Sequence, residues 1–175
     1  MEEFKRKHNR IKDFPYTGVF AYFITICTCK KQLYFNDAAI VNNIILTLKS
    51  EAERSDFDIY AYCFMPDHLH LLLIDREGSG LTGFIKTFKQ KSGYYFKQGT
   101  GLILWQKSYY DHVIRKKENL NNIASYVFNN PVRKKLVDDF IKYPFLGSMV
   151  FDVDDFYKSF QQLRNIDLSM LLKKS

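Results

Sequence analysis

Two histidines separated by one leucine, His68-Leu69-His70, are the residues of this 175-residue chain best suited to chemistry. On a strand, side chains alternate between faces, so residues two apart put both imidazoles on one side and Leu69 on the other. Two imidazoles held this way form a pair for a divalent metal. They suit Zn, Mn, Fe or Ni, and Mg where carboxamides and phosphate complete the shell. The plain alternative is two half-exposed strand histidines, but half of the four histidines in the chain stand here. A second constellation is Tyr126-Val-Phe-Asn129-Asn130-Pro131. On a helix Tyr126 and Asn130 are i and i+4 and share a face, so a phenol and a carboxamide lie one turn apart. They fit a nucleophile and a third metal ligand, or else a core tyrosine and a helix-terminal asparagine.

These residues need elements to hold them. The segment 18–27 is rich in β-branched and aromatic residues and reads as a strand. Asn36 or Asp37 caps a helix whose apolar positions Ile40, Ile44 and Leu48 recur every four residues, ending at Ser55-Asp56. Residues 57–64 and 68–74 are short apolar runs around Met65-Pro66-Asp67, which predicts a tight hairpin. Gly78-Ser79-Gly80 precedes a second helix carrying Leu81, Ile85 and Phe88, and residues 99–101 end it. A strand follows over 109–115, then a helix over about 118–129, halted by Pro131. The order β-α-β-β-α-β plus a helix predicts an α+β, ferredoxin-like split βαβ antiparallel sheet, with helices on one face and a C-terminal catalytic helix. Residues 149–175, acidic and then aromatic, read as a terminal helical extension to a core over about 6–148. Cys27 and Cys29 read as buried thiols, since Cys-x-Cys has no second pair nearby to complete a tetrahedral site.

Composition excludes several classes. The length fits one domain, and 46% hydrophobic residues with only 8 Gly and 4 Pro exclude a disordered or fibrous chain. No apolar run approaches the roughly 20 residues of a membrane span. The charged start, Met1-Glu-Glu-Phe-Lys-Arg-Lys7, lacks a signal core, and three cysteines suit a reducing compartment, so the expected location is cytoplasmic. Lys and Arg exceed Asp and Glu by 26 to 19, giving +7, and 17% of residues are aromatic. Charge with stacking surface points to a polyanion that has bases.

Several spaced motifs together resemble a known family. The string Tyr62-Cys-Phe-Met-Pro-Asp-His68-Leu-His70 is similar to the HUH motif of single-tyrosine transposases of bacterial insertion sequences. Trp105-Gln106, then His112-Val-Ile114-Arg115, then Tyr126 with Asn130-Pro131-Val132 resemble, in that order, the motifs of REP-associated tyrosine transposases. The likeness spans about residues 6–148. It implies cleavage and strand transfer of single-stranded DNA, at hairpin-forming repeats, through a covalent 5′-phosphotyrosine on Tyr126. It further implies Mg²⁺ or Mn²⁺ held by His68, His70 and Asn130. The insertion-sequence relatives commonly carry Gln where this chain has Asn130; Asn is one methylene shorter, so the third ligand is either direct or through a water. The resemblance leaves a monomer and a homodimer both open.

A free phenol has a pKa near 10, so only about one in a thousand is ionised at pH 7 and attack on a phosphodiester needs help at phosphorus. Cationic clusters are candidates for tracking the strand: Arg10 and Lys12, Lys86 and Lys89, Arg115 and Lys116, and Arg133, with His112 as a further phosphate contact or base. Two other classes compete. A non-catalytic nucleic-acid-binding module would use the same basic patches without chemistry, and a metal-dependent hydrolase would need no tyrosine.

Overall fold

The computed structural model describes residues 20–78, 80–114, 119–159 and 161. The basic lead with Arg10 and Lys12, and the segment with Arg115 and Lys116, lie outside the described residues. Five strands form one antiparallel sheet in the order β4-β1-β3-β2-β5: β1 Phe20–Cys27, β2 Phe57–Met65, β3 His68–Asp75, β4 Tyr110–Ile114 and β5 Leu146–Gly147. The helices are α1 Ala38–Arg54, α2 Leu81–Thr100, α3 Leu120–Phe128 and the single turn α4 Asn130–Arg133.

Alternation in β1 decides the layers. Tyr22, Ile24 and Ile26 face one side with Leu69, Leu71 and Leu73 of β3, and there they meet Ile44 and Leu48 of α1 and Phe84, Ile85 and Phe88 of α2. Asp37 caps α1, its carboxylate accepting the Ala39 and Ile40 N–H groups at 2.8 and 3.3 Å. Gly101, at φ 72°, closes α2 by donating its N–H to the Lys97 carbonyl oxygen at 2.8 Å. Trp105 belongs to this core as well. Its indole N–H donates to Ser92 Oγ at 2.9 Å, and its ring packs on Phe35 and Phe88.

The opposite face has its own apolar cluster, Ala61, Cys63, Met65 and Leu72 from the sheet with Ala124, Val127 and Phe128 of α3. Thus α1 and α2 share one face, and the third helix covers part of the other. The acidic-aromatic extension takes part here. Phe151 and Phe156 pack on Phe128, and Tyr157 packs on Phe140 while donating its hydroxyl to Asp139. Of the cysteines, Cys63 is buried, whereas Cys27 and Cys29 are partly exposed, contrary to expectation, because β1 ends there and the chain leaves the sheet. Among the described residues, no helix is long and apolar enough to cross a membrane.

Candidate metal and nucleophile site

The β2–β3 hairpin turns on Pro66-Asp67 and delivers His68 and His70 to the partly covered face. The turn is gripped from outside the hairpin. Thr28 donates its N–H to the Asp67 carbonyl oxygen at 2.9 Å and shares its hydroxyl proton between that oxygen, at 3.0 Å, and Gln32 O, at 2.7 Å, while Phe35 N–H donates to the Pro66 carbonyl oxygen at 3.1 Å. The two imidazole Nε2 atoms stand 3.1 Å apart. His68 Nδ1 lies 2.5 Å from Asp67 Oδ1; an ionised carboxylate only accepts, so Nδ1 carries the proton and Nε2 keeps its lone pair. His70 Nδ1 lies 2.9 Å from the Thr25 hydroxyl, which can donate or accept and so tolerates either tautomer of His70.

This arrangement fits a metal. Two imidazole nitrogens each about 2.1 Å from one ion, at roughly a right angle, stand about 3 Å apart. Metal-binding histidines generally donate their other N–H to a carboxylate or hydroxyl, as Asp67 and Thr25 are placed to accept here. Burial and the neighbouring His68 and Lys31 push the His70 pKa down to about 3, and burial outweighs Asp67 in lowering that of His68. Both rings are therefore neutral near pH 7, the form that ligates. Asp67 is held below the usual carboxylate range; burial raises it, but hydrogen bonds from His68 and Lys31 prevail. Among the described residues, no three His, Cys, Asp or Glu side chains gather to hold an ion, which leaves the amide expected at Asn130 a candidate third ligand.

Asn130 is suitably fixed for that part. Pro131 has no N–H for the Val127 carbonyl, and Asn130 Nδ2 takes its place, donating to Val127 O at 3.3 Å and Tyr126 O at 2.8 Å. Because both partners are acceptors, the nitrogen must face the helix and Oδ1 must face away from it. Asn129 keeps helical angles, so α3 runs almost directly into α4 and places Tyr126, Asn130 and Arg133 on one stripe. Tyr126 is 44% exposed. It meets Phe23 edge-on at 5.9 Å and His70 at 6.5 Å, with the Arg133 guanidinium 4.7 Å from its centroid.

The structure thus brings His68, His70, Tyr126 and Arg133 together, with Asn130 one turn beyond Tyr126 on the same helical stripe. His112 shares their face opposite Phe23, but two strands from β3, about 10 Å away. Lys86 and Lys89 stand on α2, across the sheet from the histidines. Lys89 Nζ donates to the carbonyl oxygens of Gln106 and Lys107 at 2.7 and 3.0 Å, tying α2 to the approach to β4, and burial lowers its pKa.

Sequence reasoning overlooked Asp67, Thr25 and Lys31 as parts of the site. Asp67 is adjacent to the motif and was legible in principle. Thr25 and Lys31 arrive through strand register and through a loop with two consecutive left-handed residues, Lys30 at φ 52° and Lys31 at φ 59°. Lys31 Nζ lies 3.3 Å from Asp67 Oδ2, and with Arg133 and Lys134 it makes the rim of the histidine pair positive.

Comparison with known proteins gives a consistent answer. Residues 18–130 match the family profile described as transposase IS200 like. A protein of Haemophilus influenzae provisionally named a REP-associated tyrosine transposase is 25% identical over 153 residues, covering 78% of this chain and 83% of that protein. A REP-associated tyrosine transposase of Escherichia coli K12 is 22% identical over 130 residues, covering 73% of this chain and 74% of its own. The solved structure of a REP-associated tyrosine transposase bound to a REP hairpin superposes with a TM-score of 0.64 at 20% identity, over 83% of this chain and 82% of that one, which shows a shared fold.

Proposed function

The chain belongs to the IS200-like transposase family, and on that premise we propose that it cleaves and rejoins single-stranded DNA through a covalent link to Tyr126. The observation that carries the reading is the meeting of a neutral histidine pair, Nε2 atoms 3.1 Å apart, with an exposed tyrosine ring 6.5 Å from one of them. His68 and His70, with Asn130 Oδ1 or a water beside them, would hold Mg²⁺ or Mn²⁺, and the ion would supply a Lewis acid for a non-bridging phosphate oxygen. The protein ligands carry no net charge, which favours an anionic phosphate as a further partner.

The chain's residues do the rest. Lys31, Arg133 and Lys134 draw the strand to the face where the histidines lie. Tyr126 Oη attacks phosphorus; the Oη–P bond forms and the bond to the 3′ oxygen breaks. The phenolic proton leaves to solvent, which reaches the exposed ring, and the departing oxygen takes up a proton to become a 3′-hydroxyl. The phosphotyrosine remains a phosphodiester, so an incoming 3′-hydroxyl can attack it, restore the phenol and join a different strand. A hydrolase would use water at that step. Within one chain the Tyr126 ring stands 6.5 Å from that of His70, which supports service of its own chain's histidines. Hairpin-forming DNA is the proposed substrate, in keeping with the hairpin-bound relative, and Arg10, Lys12, Lys86, Arg115, Lys116 and His112 are further proposed phosphate contacts.

The test is incubation of the full chain with labelled hairpin-bearing single-stranded DNA and Mn²⁺ or Mg²⁺. The expected result is an SDS-stable protein–DNA adduct that Tyr126→Phe abolishes. Binding without an adduct would instead favour a non-catalytic module, and cleavage surviving Tyr126→Phe would favour a hydrolase.

A further inference from the structure

Arg133 lies seven residues beyond Tyr126, and its guanidinium carbon sits over the Tyr126 ring. The α4 turn fixes it there: Arg133 N–H donates to Asn129 O at 2.9 Å and Lys134 N–H to Asn130 O at 3.0 Å. We propose that Arg133 is a positioning residue for the nucleophile, clamping the face of the Tyr126 ring so that its hydroxyl is presented to the histidine pair in one orientation before DNA arrives. The inference rests on the reading of Tyr126 as nucleophile given above.

Three contacts from different directions define the ring. Phe23 meets it nearly at right angles, with an interplanar angle of 81°, and His70 meets it at 64°. Arg133 closes a face that solvent would otherwise share. A half-exposed tyrosine lacking that third contact would sample other side-chain orientations, and misplacement by about 1 Å can cost a factor of about a hundred in rate.

The chemistry also favours a cation at this place. As the phenol gives up its proton, negative charge spreads into the ring and its attraction to the guanidinium grows. An interaction stronger in the attacking form than in the resting form raises a rate and not merely an affinity. Arginine alone combines the two geometries required: its plane stacks on the ring while its edge N–H groups stay free to meet a phosphate. Lysine would keep the charge and lose the plane.

Single-turnover adduct formation, measured over a range of hairpin DNA concentrations with Mn²⁺, separates positioning from binding. For Arg133→Lys, the half-saturating DNA concentration should stay within about threefold of wild type while the maximal rate falls about tenfold. Arg133→Gln should lose rate at least as much and bind more weakly. Phe23→Leu, which removes a different wall of the same cage, should lower the maximal rate several-fold at unchanged half-saturation. It provides the test if the arginine variants show lowered thermal unfolding. A wild-type maximal rate in Arg133→Lys and Phe23→Leu, or an effect of Arg133 on half-saturation alone, overturns the proposal and leaves Arg133 a phosphate contact. Failure of the wild type to form any adduct would overturn the nucleophile reading instead.

Discussion

The two faces of the sheet are built from the same strands yet finished differently. On the α1–α2 face the apolar layer is continuous, and even its buried acid, Glu51, is bonded by Arg54 and Lys91. On the α3 face the fully buried apolar layer covers β2 and the middle of β3 and then stops, with Phe23 and Ile114 only partly buried beyond it. Where it stops, the sheet carries polar side chains, Thr25, His68 and His70, at the margin of the helix that bears Tyr126 and Asn130. A complete layer yields stability. An incomplete one leaves a border where groups are dry enough to lose their charges, as His70 does, while Tyr126 beside them stays open to solvent.

The contrast can be broken most severely at the histidines. His68→Ala with His70→Ala should lower adduct formation by about a thousandfold or more, since the Lewis acid contributes several kcal/mol. Hairpin binding in a gel-shift assay should be largely retained, because phosphate contacts carry it. Binding lost together with cleavage would mean that the pair serves affinity.

A second comparison sets one phenylalanine from each layer against the other. Phe128→Ala and Phe88→Ala should each cost about 3–5 kcal/mol in denaturant unfolding, both rings being fully buried. At a temperature where both variants remain folded, only Phe128→Ala should also slow adduct formation, because α3 carries Tyr126. Equal slowing would show that the two layers are not separable in function.

Acidity probes the same border without mutating the nucleophile. Folding holds the His70 pKa down to about 3, against about 6.5 in an unfolded chain, so the unfolded state takes up a proton first as pH falls. Stability from this source is complete above pH 6.5 and is lost as pH drops toward 3, amounting to about 2–3 kcal/mol between pH 7 and pH 4.5. His70→Gln should remove that part of the acid sensitivity in unfolding experiments on the metal-free protein. An unchanged pH dependence would contradict the burial argument. Smaller effects should come from the groups behind the ligands: Asp67→Asn should weaken Mn²⁺ binding by about 10–100-fold, and Thr25→Val by about tenfold or less, both read by titration calorimetry.

Much of this was legible in the residues. The three-residue punctuation Met65-Pro66-Asp67 announced the hairpin, alternation put His68 and His70 on one face, and the i+4 spacing put Asn130 under Tyr126. The remainder depended on distant partners that no local pattern encodes. Thr25 meets His70 only through the β1–β3 register. Lys89, a cation on a helix, looks solvated in sequence but turns inward to two carbonyl oxygens. Phe151, Phe156 and Tyr157 look like an afterthought until α3 is seen to need a second wall.

The central claim is that Tyr126 becomes joined to DNA beside the histidine pair. Its most direct test is to digest the adduct formed on a labelled hairpin strand with Mn²⁺ and map the modified peptide by mass spectrometry. The account predicts a 5′-linked nucleotide on Tyr126 and no adduct in Tyr126→Phe; a nucleotide on another tyrosine, or cleaved DNA with no protein attached, would contradict it.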